Sequence, residues 1–227
     1  MYRFQTYTKP WIKKETPTEK EKRTAEIFRR LKKTYPQATI ALTYKTHFEL
    51  LVAVILSAQC TDKKVNEITP ALFKKYPSVR AFARANIIEL EGFIRQSGFY
   101  HNKAKSIIGA AKKIEADFDS EVPRTMKEIL TVPGIARKSA NVVLGNAYGV
   151  VDGIAVDTHV SRIAQRWALT DSDKPVKIEQ DLMALLPKKE WFSATYRIID
   201  HGRAICKAQR PECARCPLKD ICPSSLV

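Results

Sequence analysis

The sequence predicts an all-α protein, and three observations carry that prediction. Apolar residues recur at spacings of three and four, no segment alternates with the period of two that a strand needs, and the connections are short and marked by proline and glycine. At 227 residues with 44% hydrophobic content, the chain is long enough for packed cores in one large domain or two small ones.

The elements follow in chain order. Residues 1–20 carry Pro10, Pro17 and many charges but little periodicity, and are expected to form a poorly ordered basic arm whose Tyr2, Phe4, Tyr7 and Trp11 can pack on the body. From about Pro17 to a break near Pro36, Ala25, Phe28 and Leu31 fall on one helical face. Helical segments are then expected at 48–57, 62–75, 79–85, 87–97, 102–118, 126–130, 136–148, 159–167, 177–186 and 191–204. Leu50 to Ala58 is the longest apolar run, far short of the roughly 20 residues a membrane helix needs, and reads as a buried helix.

Charge narrows the partner. Lys and Arg number 39 against 24 Asp and Glu, a net charge of +15 that favours a polyanion and salt-sensitive binding. The excess is uneven, with eleven basic and four acidic residues before Thr34. No apolar signal core opens the chain, and Glu15, Glu19 and Glu21 argue against a transit peptide, so the expected location is the cytoplasm, on the nucleoid, with no membrane partner. The chain is expected to be a monomer.

The segment Thr131–Val143, TVPGIARKSANVV, carries the most information. Val132-Pro133-Gly134 interrupts one helical pattern (Met126, Ile129, Leu130), and a second begins near Ala136 and continues through Ala140, Val143 and Leu144. This is a helix-hairpin-helix. Free N–H groups at the second helix start, with the positive end of its dipole behind them, suit a phosphate. Lys138 falls in that first turn. Partial burial, the helix N-terminus and Arg137 are three features that would lower its pKa enough for a neutral amine to attack a sugar carbon; simple phosphate contact is the plainer reading. The GFYHNKAK turn (98–105) also joins two helices and reads equally as a second DNA contact or a surface turn.

Nineteen residues beyond Lys138, Asp157 stands at the expected N-cap of the next helix. Capping alone accounts for an aspartate there, but a carboxylate facing Lys138 would also take its proton or stabilise positive charge on a sugar. Near the C-terminus, Cys206, Cys213, Cys216 and Cys222 lie within 17 residues, among Arg203, Lys207, Arg210, Arg215 and Lys219. Such clustering points to metal, and the ligand type alone does not separate zinc from a [4Fe-4S] cluster. Cys60 reads as a packing residue.

Together these motifs resemble the endonuclease III family of DNA glycosylases, within the helix-hairpin-helix glycosylase superfamily, from about residue 20 to residue 222. LSAQCTDKKVN (56–66) is similar to the family's LSAQ-x-TD segment, VPGIARKSANVV to its LPGVGRKTANVV hairpin, and IAVDTH (154–159) to its aspartate loop. The resemblance implies a [4Fe-4S] cluster on the four cysteines, a helical barrel domain over 38–150, an iron-sulfur domain from 21–37 plus 151–227, and a DNA-binding cleft between them. It implies double-stranded DNA with damaged bases or abasic sites as partner, and a bifunctional glycosylase with AP lyase activity that removes oxidised or ring-saturated pyrimidines.

Carried over by position, Lys138 is the nucleophile and Asp157 its assisting carboxylate. Gln59 fills the space left by the extruded nucleotide, Phe99 wedges the opposite strand, and Tyr100, Gly134, Ala136, Arg137, Ser139 and His159 join the DNA contacts. Two residues depart from the pattern. Ala136 replaces the hairpin's usual second glycine, and aromatic Phe99 replaces a more usual aliphatic wedge. Two other readings stay open: a monofunctional relative, which carries another residue at the Lys138 position, and a DNA-binding hairpin protein, which has no need of Asp157.

Overall fold

A computed structural model describes residues 7–227, and the described residues hold eleven α-helices and no strand. The chain divides into two compact units, Ile40–Asp152 and the residues through Thr39 joined with Gly153–Val227.

The central unit is built around α2 (His47–Leu56), apolar on nearly every side, with Leu50 through Leu56 all buried. A helix with no polar face belongs inside a core. It packs on α3 (Asp62–Lys75), α6 (Tyr100–Asp117) and α8 (Arg137–Tyr148), while α4 (Val79–Ala83) and α5 (Ile87–Ile94) also lie on α6. The short α7 (Met126–Ile129) precedes α8 and packs against it. Leu72, Leu90, Ile107, Ile114, Ile129, Val143 and Leu144 complete this core.

The second unit joins α1 (Pro17–Thr34) to α9 (Thr158–Arg166), α10 (Pro175–Leu185) and α11 (Lys188–Ala204). α11 packs on both α1 and α9, and Trp167, 1% exposed, meets Phe28 edge-on at 6.3 Å in the middle of the core. Burying an aromatic pair this way adds roughly 0.5–1.5 kcal/mol beyond the area it removes from water.

Three expectations change. The basic arm is docked from residue 7 onward: the Thr8 and Lys9 N–H groups donate to the Pro223 carbonyl at 2.8 and 3.1 Å, Tyr7 Oη donates to Gln165 O, and Trp11 lies under the Arg23 guanidinium. Backbone bonds and a buried Glu15–Arg23 pair at 2.6 Å supply the order that local periodicity lacks. The expected packing of Tyr2 and Phe4 lies outside the described residues. α6 starts at Tyr100 rather than Asn102, and α10 and α11 start at Pro175 and Lys188, two and three residues before their expected starts. Pro175 opens α10, the position where a missing N–H costs nothing. The last turn expected in α5 is a 3₁₀ turn over Arg95–Ser97.

Candidate nucleic-acid interface

The hairpin between α7 and α8 is set by its turn. Ile135 N–H donates to the Val132 carbonyl at 3.2 Å around Pro133 and Gly134, and Gly134 takes φ +82°, the arrangement of a type II turn. Val132 and Ile135 point inward, which leaves the turn outside and anchored. Ala136 is the N-cap of α8 in extended conformation (φ −106°, ψ 170°), open to any residue, so the place of the usual second glycine is filled here without backbone strain.

No side chain caps α8. In this unit Thr46, Thr61, Ser78, Asn86 and Thr125 cap α2, α3, α4, α5 and α7, and only α6 and α8, behind Phe99 and Ala136, start bare. Both uncapped helices follow turns that carry DNA-contact candidates, and a third candidate, Gln59, precedes the capped α3. Each uncapped helix presents first-turn N–H groups and the positive end of its dipole outward. Lys138 is the second residue of α8 and is exposed, so the partial burial expected for it is not supplied by the chain. The helix start and Arg137 are in place, Arg137 reaching Asp152 at 3.4 Å, and Ser139 is half-buried.

Gln59 and Phe99 project from the turns before α3 and α6. Both are exposed, Phe99 to 63%, and both hold left-handed backbone, φ 53° and 50°. Such a conformation in a residue with a Cβ persists only where its surroundings impose it. Tyr100 stacks on His101 with centroids 4.1 Å apart, and His101 pairs with Glu91 at 2.8 Å.

In the other unit Asp157 caps α9, its Oδ1 accepting from the Val160 N–H at 2.8 Å, and is half-buried. One of its two oxygens is thereby spent on the cap. His159 is half-buried with Nδ1 3.2 Å from Arg162 Nη2, so its ring faces α9's own next turn in part.

Cys206, Cys213, Cys216 and Cys222 line one cavity of about 200 Å³. Two arginines of α9 hold its rim. Arg162, buried, donates to the Cys206 carbonyl at 3.0 Å, and Arg166 donates to Cys206 Sγ at 3.3 Å and to the Lys207 and Ala208 carbonyls. His201, fully buried, is held neutral by burial, its pKa pushed down to about 4. Tyr35 Oη stands 3.3 Å from its Nδ1, and its Nε2 stands 3.7 Å from Cys216 Sγ. With a thiolate as acceptor, the assigned tautomer carries the proton on Nε2 and Nδ1 accepts from Tyr35.

Comparison with known proteins places this geometry. Residues 52–188 match the HhH-GPD superfamily of base excision DNA repair proteins, and residues 206–222 match the iron-sulfur binding domain of endonuclease III. The chain is 52% identical over 206 residues to Endonuclease III of Synechocystis sp., covering 91% of this chain and 94% of that protein. This chain belongs to the endonuclease III family. Endonuclease III of Bacillus subtilis is 44% identical over 83% of this chain and 86% of its own. The structure of a trapped endonuclease III–DNA covalent intermediate, an estranged-adenine complex, superposes with TM-score 0.86 at 40% identity, covering 90% of this chain and 96% of that one.

The choice between zinc and an iron-sulfur cluster is thereby decided. The cofactor of this endonuclease III family member is a [4Fe-4S] cluster, and the cysteine loop fits it. All four cysteines line the same cavity, from which four thiolates can hold one group between them. Burial pushes the thiols of Cys216 and Cys222 up to about 11 and about 12, a cost that the charge of bound iron offsets.

Arg162, Arg166 and His201 were not singled out from the sequence. The spacing of the two arginines, one helical turn apart, is visible in VSRIAQRW, but nothing local says that they reach a cysteine forty residues on.

Proposed function

We propose that this endonuclease III family enzyme is a bifunctional DNA glycosylase with AP lyase activity, acting on double-stranded DNA that carries oxidised or ring-saturated pyrimidines or abasic sites. The observation that carries the reading is Lys138 at the exposed, uncapped start of α8, directly behind an outward-facing glycine turn. A phosphate bound by those N–H groups brings a deoxyribose to the amine.

The Lys138 amine attacks C1′ of the extruded nucleotide, and the glycosidic bond breaks with its electron pair leaving on the base. Opening of the sugar ring gives the Schiff base. Loss of a C2′ proton then expels the 3′ phosphate with the C3′–O electron pair, and water releases the enzyme. Lys138 must shed a proton before it attacks, and Asp157 is assigned that proton and the support of the cationic sugar through the oxygen its cap leaves over. Extrusion exposes a carbon that a stacked duplex hides, at a cost of a few kcal/mol that is least for a damaged base. Gln59 enters the vacated space, and the Phe99 ring stacks on the orphaned base opposite. Gly134, Ala136, Arg137, Ser139, Tyr100 and His159 complete the backbone contacts.

Cys206, Cys213, Cys216 and Cys222 hold the cluster, which supplies no reagent and orders a loop bearing Lys207, Arg210, Arg215 and Lys219. The described residues include no helix long and apolar enough to cross a membrane, and we place the enzyme, as a monomer, on the cytoplasmic nucleoid. Product analysis tests the reading. On a labelled thymine glycol duplex the chain releases free base and leaves a β-elimination nick, Lys138→Gln leaves neither, and Asp157→Asn slows base release. A nick made by Lys138→Gln contradicts the assignment.

A further inference from the structure

Lys103 stands one turn into α6 with 5% of its surface exposed, within the 98–105 segment that the sequence leaves open as a second DNA contact or a surface turn. Its ammonium donates to the Leu56 carbonyl at 2.8 Å and to the Ser97 carbonyl at 2.8 Å. A buried ammonium is costly unless its donors are spent, and here two carbonyls take two of its three.

Those carbonyls are the ends of two helical segments. A helix leaves its last four carbonyls without intrahelical partners, and in α2 three of them are served locally. Ala53 O accepts from Ser57 N–H, Val54 O from Ser57 Oγ and Ile55 O from Ala58 N–H. Leu56 O, the last, is served by Lys103, a cation at the negative end of the α2 dipole. Ser97 O is the last carbonyl of the 3₁₀ turn before α6, which the Gly98 N–H closes onto Arg95 O. Three residues beyond Leu56 comes Gln59, and two beyond Ser97 comes Phe99, both left-handed and both exposed. One ammonium thus ties the two turns that present them. Lys64 Nζ in the first turn of α3, donating to Gln96 Oε1 at 3.3 Å, ties the helix that follows Gln59 to the 3₁₀ turn that precedes Phe99.

We propose that Lys103 is a positioning residue for duplex opening: by binding the Leu56 and Ser97 carbonyls together it holds Gln59 and Phe99 in the left-handed conformations and the relative register in which both enter the DNA. This rests on the assignment of Gln59 and Phe99 to the opened duplex. Without the ammonium, both carbonyls lose their partner, the turns are released from one another, and the strained backbone relaxes before DNA arrives. The ordering must then be imposed during binding, which weakens recognition of a lesion without touching the chemistry of Lys138.

The test uses the full-length, cluster-loaded protein and a duplex with a tetrahydrofuran abasic analogue opposite 2-aminopurine, whose emission rises when its stacking is broken. Lys103→Met and Lys103→Gln are expected to keep wild-type circular dichroism, cluster absorbance and affinity for undamaged duplex. Lys103→Met is expected to lose the emission rise and to bind the lesion duplex roughly tenfold more weakly, about what re-imposing one left-handed residue costs. Lys103→Gln, able to reach one carbonyl at most, is expected to fall between. Wild-type emission and affinity in either folded variant overturn the proposal, as does failure of both to fold, since the lysine would then serve the fold alone. Gln59→Ala and Phe99→Ala separate the two levels. If they leave the emission unchanged, the underlying assignment fails; if they abolish it and Lys103→Met does not, only the role of Lys103 fails.

Discussion

A Cβ added to Gly134 would lie 2.7 Å from the Cβ of Ser106 on α6, closer than two such carbons approach, so the hairpin turn sits against that helix with no room for a side chain. Ser106 offers no flexible end at that point, and relief requires backbone movement. Gly134→Ala is expected to destabilise the chain by about 1–2 kcal/mol for the left-handed backbone and by roughly 1–3 kcal/mol more for the crowding. Ala136→Gly is the contrasting variant. At an extended N-cap the exchange is expected to change stability by less than about 1 kcal/mol. Urea unfolding of the two variants checks the difference, and equal losses would contradict it.

The arginines of α9 predict how the cluster is kept. Arg166→Met removes the donor to Cys206 Sγ and to two loop carbonyls, and is expected to cost about 1.5–3 kcal/mol, the range for hydrogen bonds from a charged group. Visible absorbance of the cluster is expected to decay faster than in the wild type when a chelator is added. An unchanged decay would show that the loop holds without them.

Acid stability follows from the ion pairs of Glu26 in the middle of α1. Side-chain hydrogen bonds from Arg29 and then Arg30 hold the Glu26 carboxyl down to about 2, against an ordinary 4.5. Because the folded pKa is the lower one, the contribution is present above 4.5 and is lost as pH falls toward about 2. The group is solvent-facing, so the effect is small. Glu26→Gln is expected to melt slightly below wild type at neutral pH, and the gap is expected to close through that acid window. A gap that widens on acidification reverses the sign and refutes the assignment.

Binding is expected to weaken steeply with salt, since a chain of net charge +15 releases condensed counterions from each phosphate it contacts. Arg137, beside the bare N-terminus of α8, is assigned one such contact. Replacing it with Gln is expected to reduce the slope of log K against log salt by about 0.9, the value for one phosphate. Titrations at several salt concentrations on an undamaged duplex measure it, and an unchanged slope removes Arg137 from the interface.

Much of this architecture is legible where its causes are local. α3 can be read from Asp62 to Lys75 because Thr61 caps its start and its apolar face is regular, and Asp157 is where a capping aspartate belongs. The hairpin is equally local, a Pro-Gly turn between two periodic segments. What the sequence hides is whatever depends on distant partners. The docked segment beginning at Tyr7 is ordered by Pro223 and Gln165, more than 150 positions away, and has no periodicity to show for it. The start of α6 is concealed because Phe99 takes a left-handed conformation that only its surroundings impose. Lys103 reads as one more surface cation until the two carbonyls it joins are seen, and His201 gives no sign that it faces Cys216 until α11 is folded against the cysteine loop.

The central claim is that Lys138 is the amine that bonds to the sugar. Borohydride reduction during reaction, on duplexes carrying thymine glycol or an abasic site, tests it most directly, because only a Schiff base is fixed to the protein. The account predicts a stable protein–DNA adduct on both duplexes with the wild type and on neither with Lys138→Ala that still binds them. An undiminished adduct in Lys138→Ala, or no adduct from wild-type protein that binds and cleaves, would contradict it.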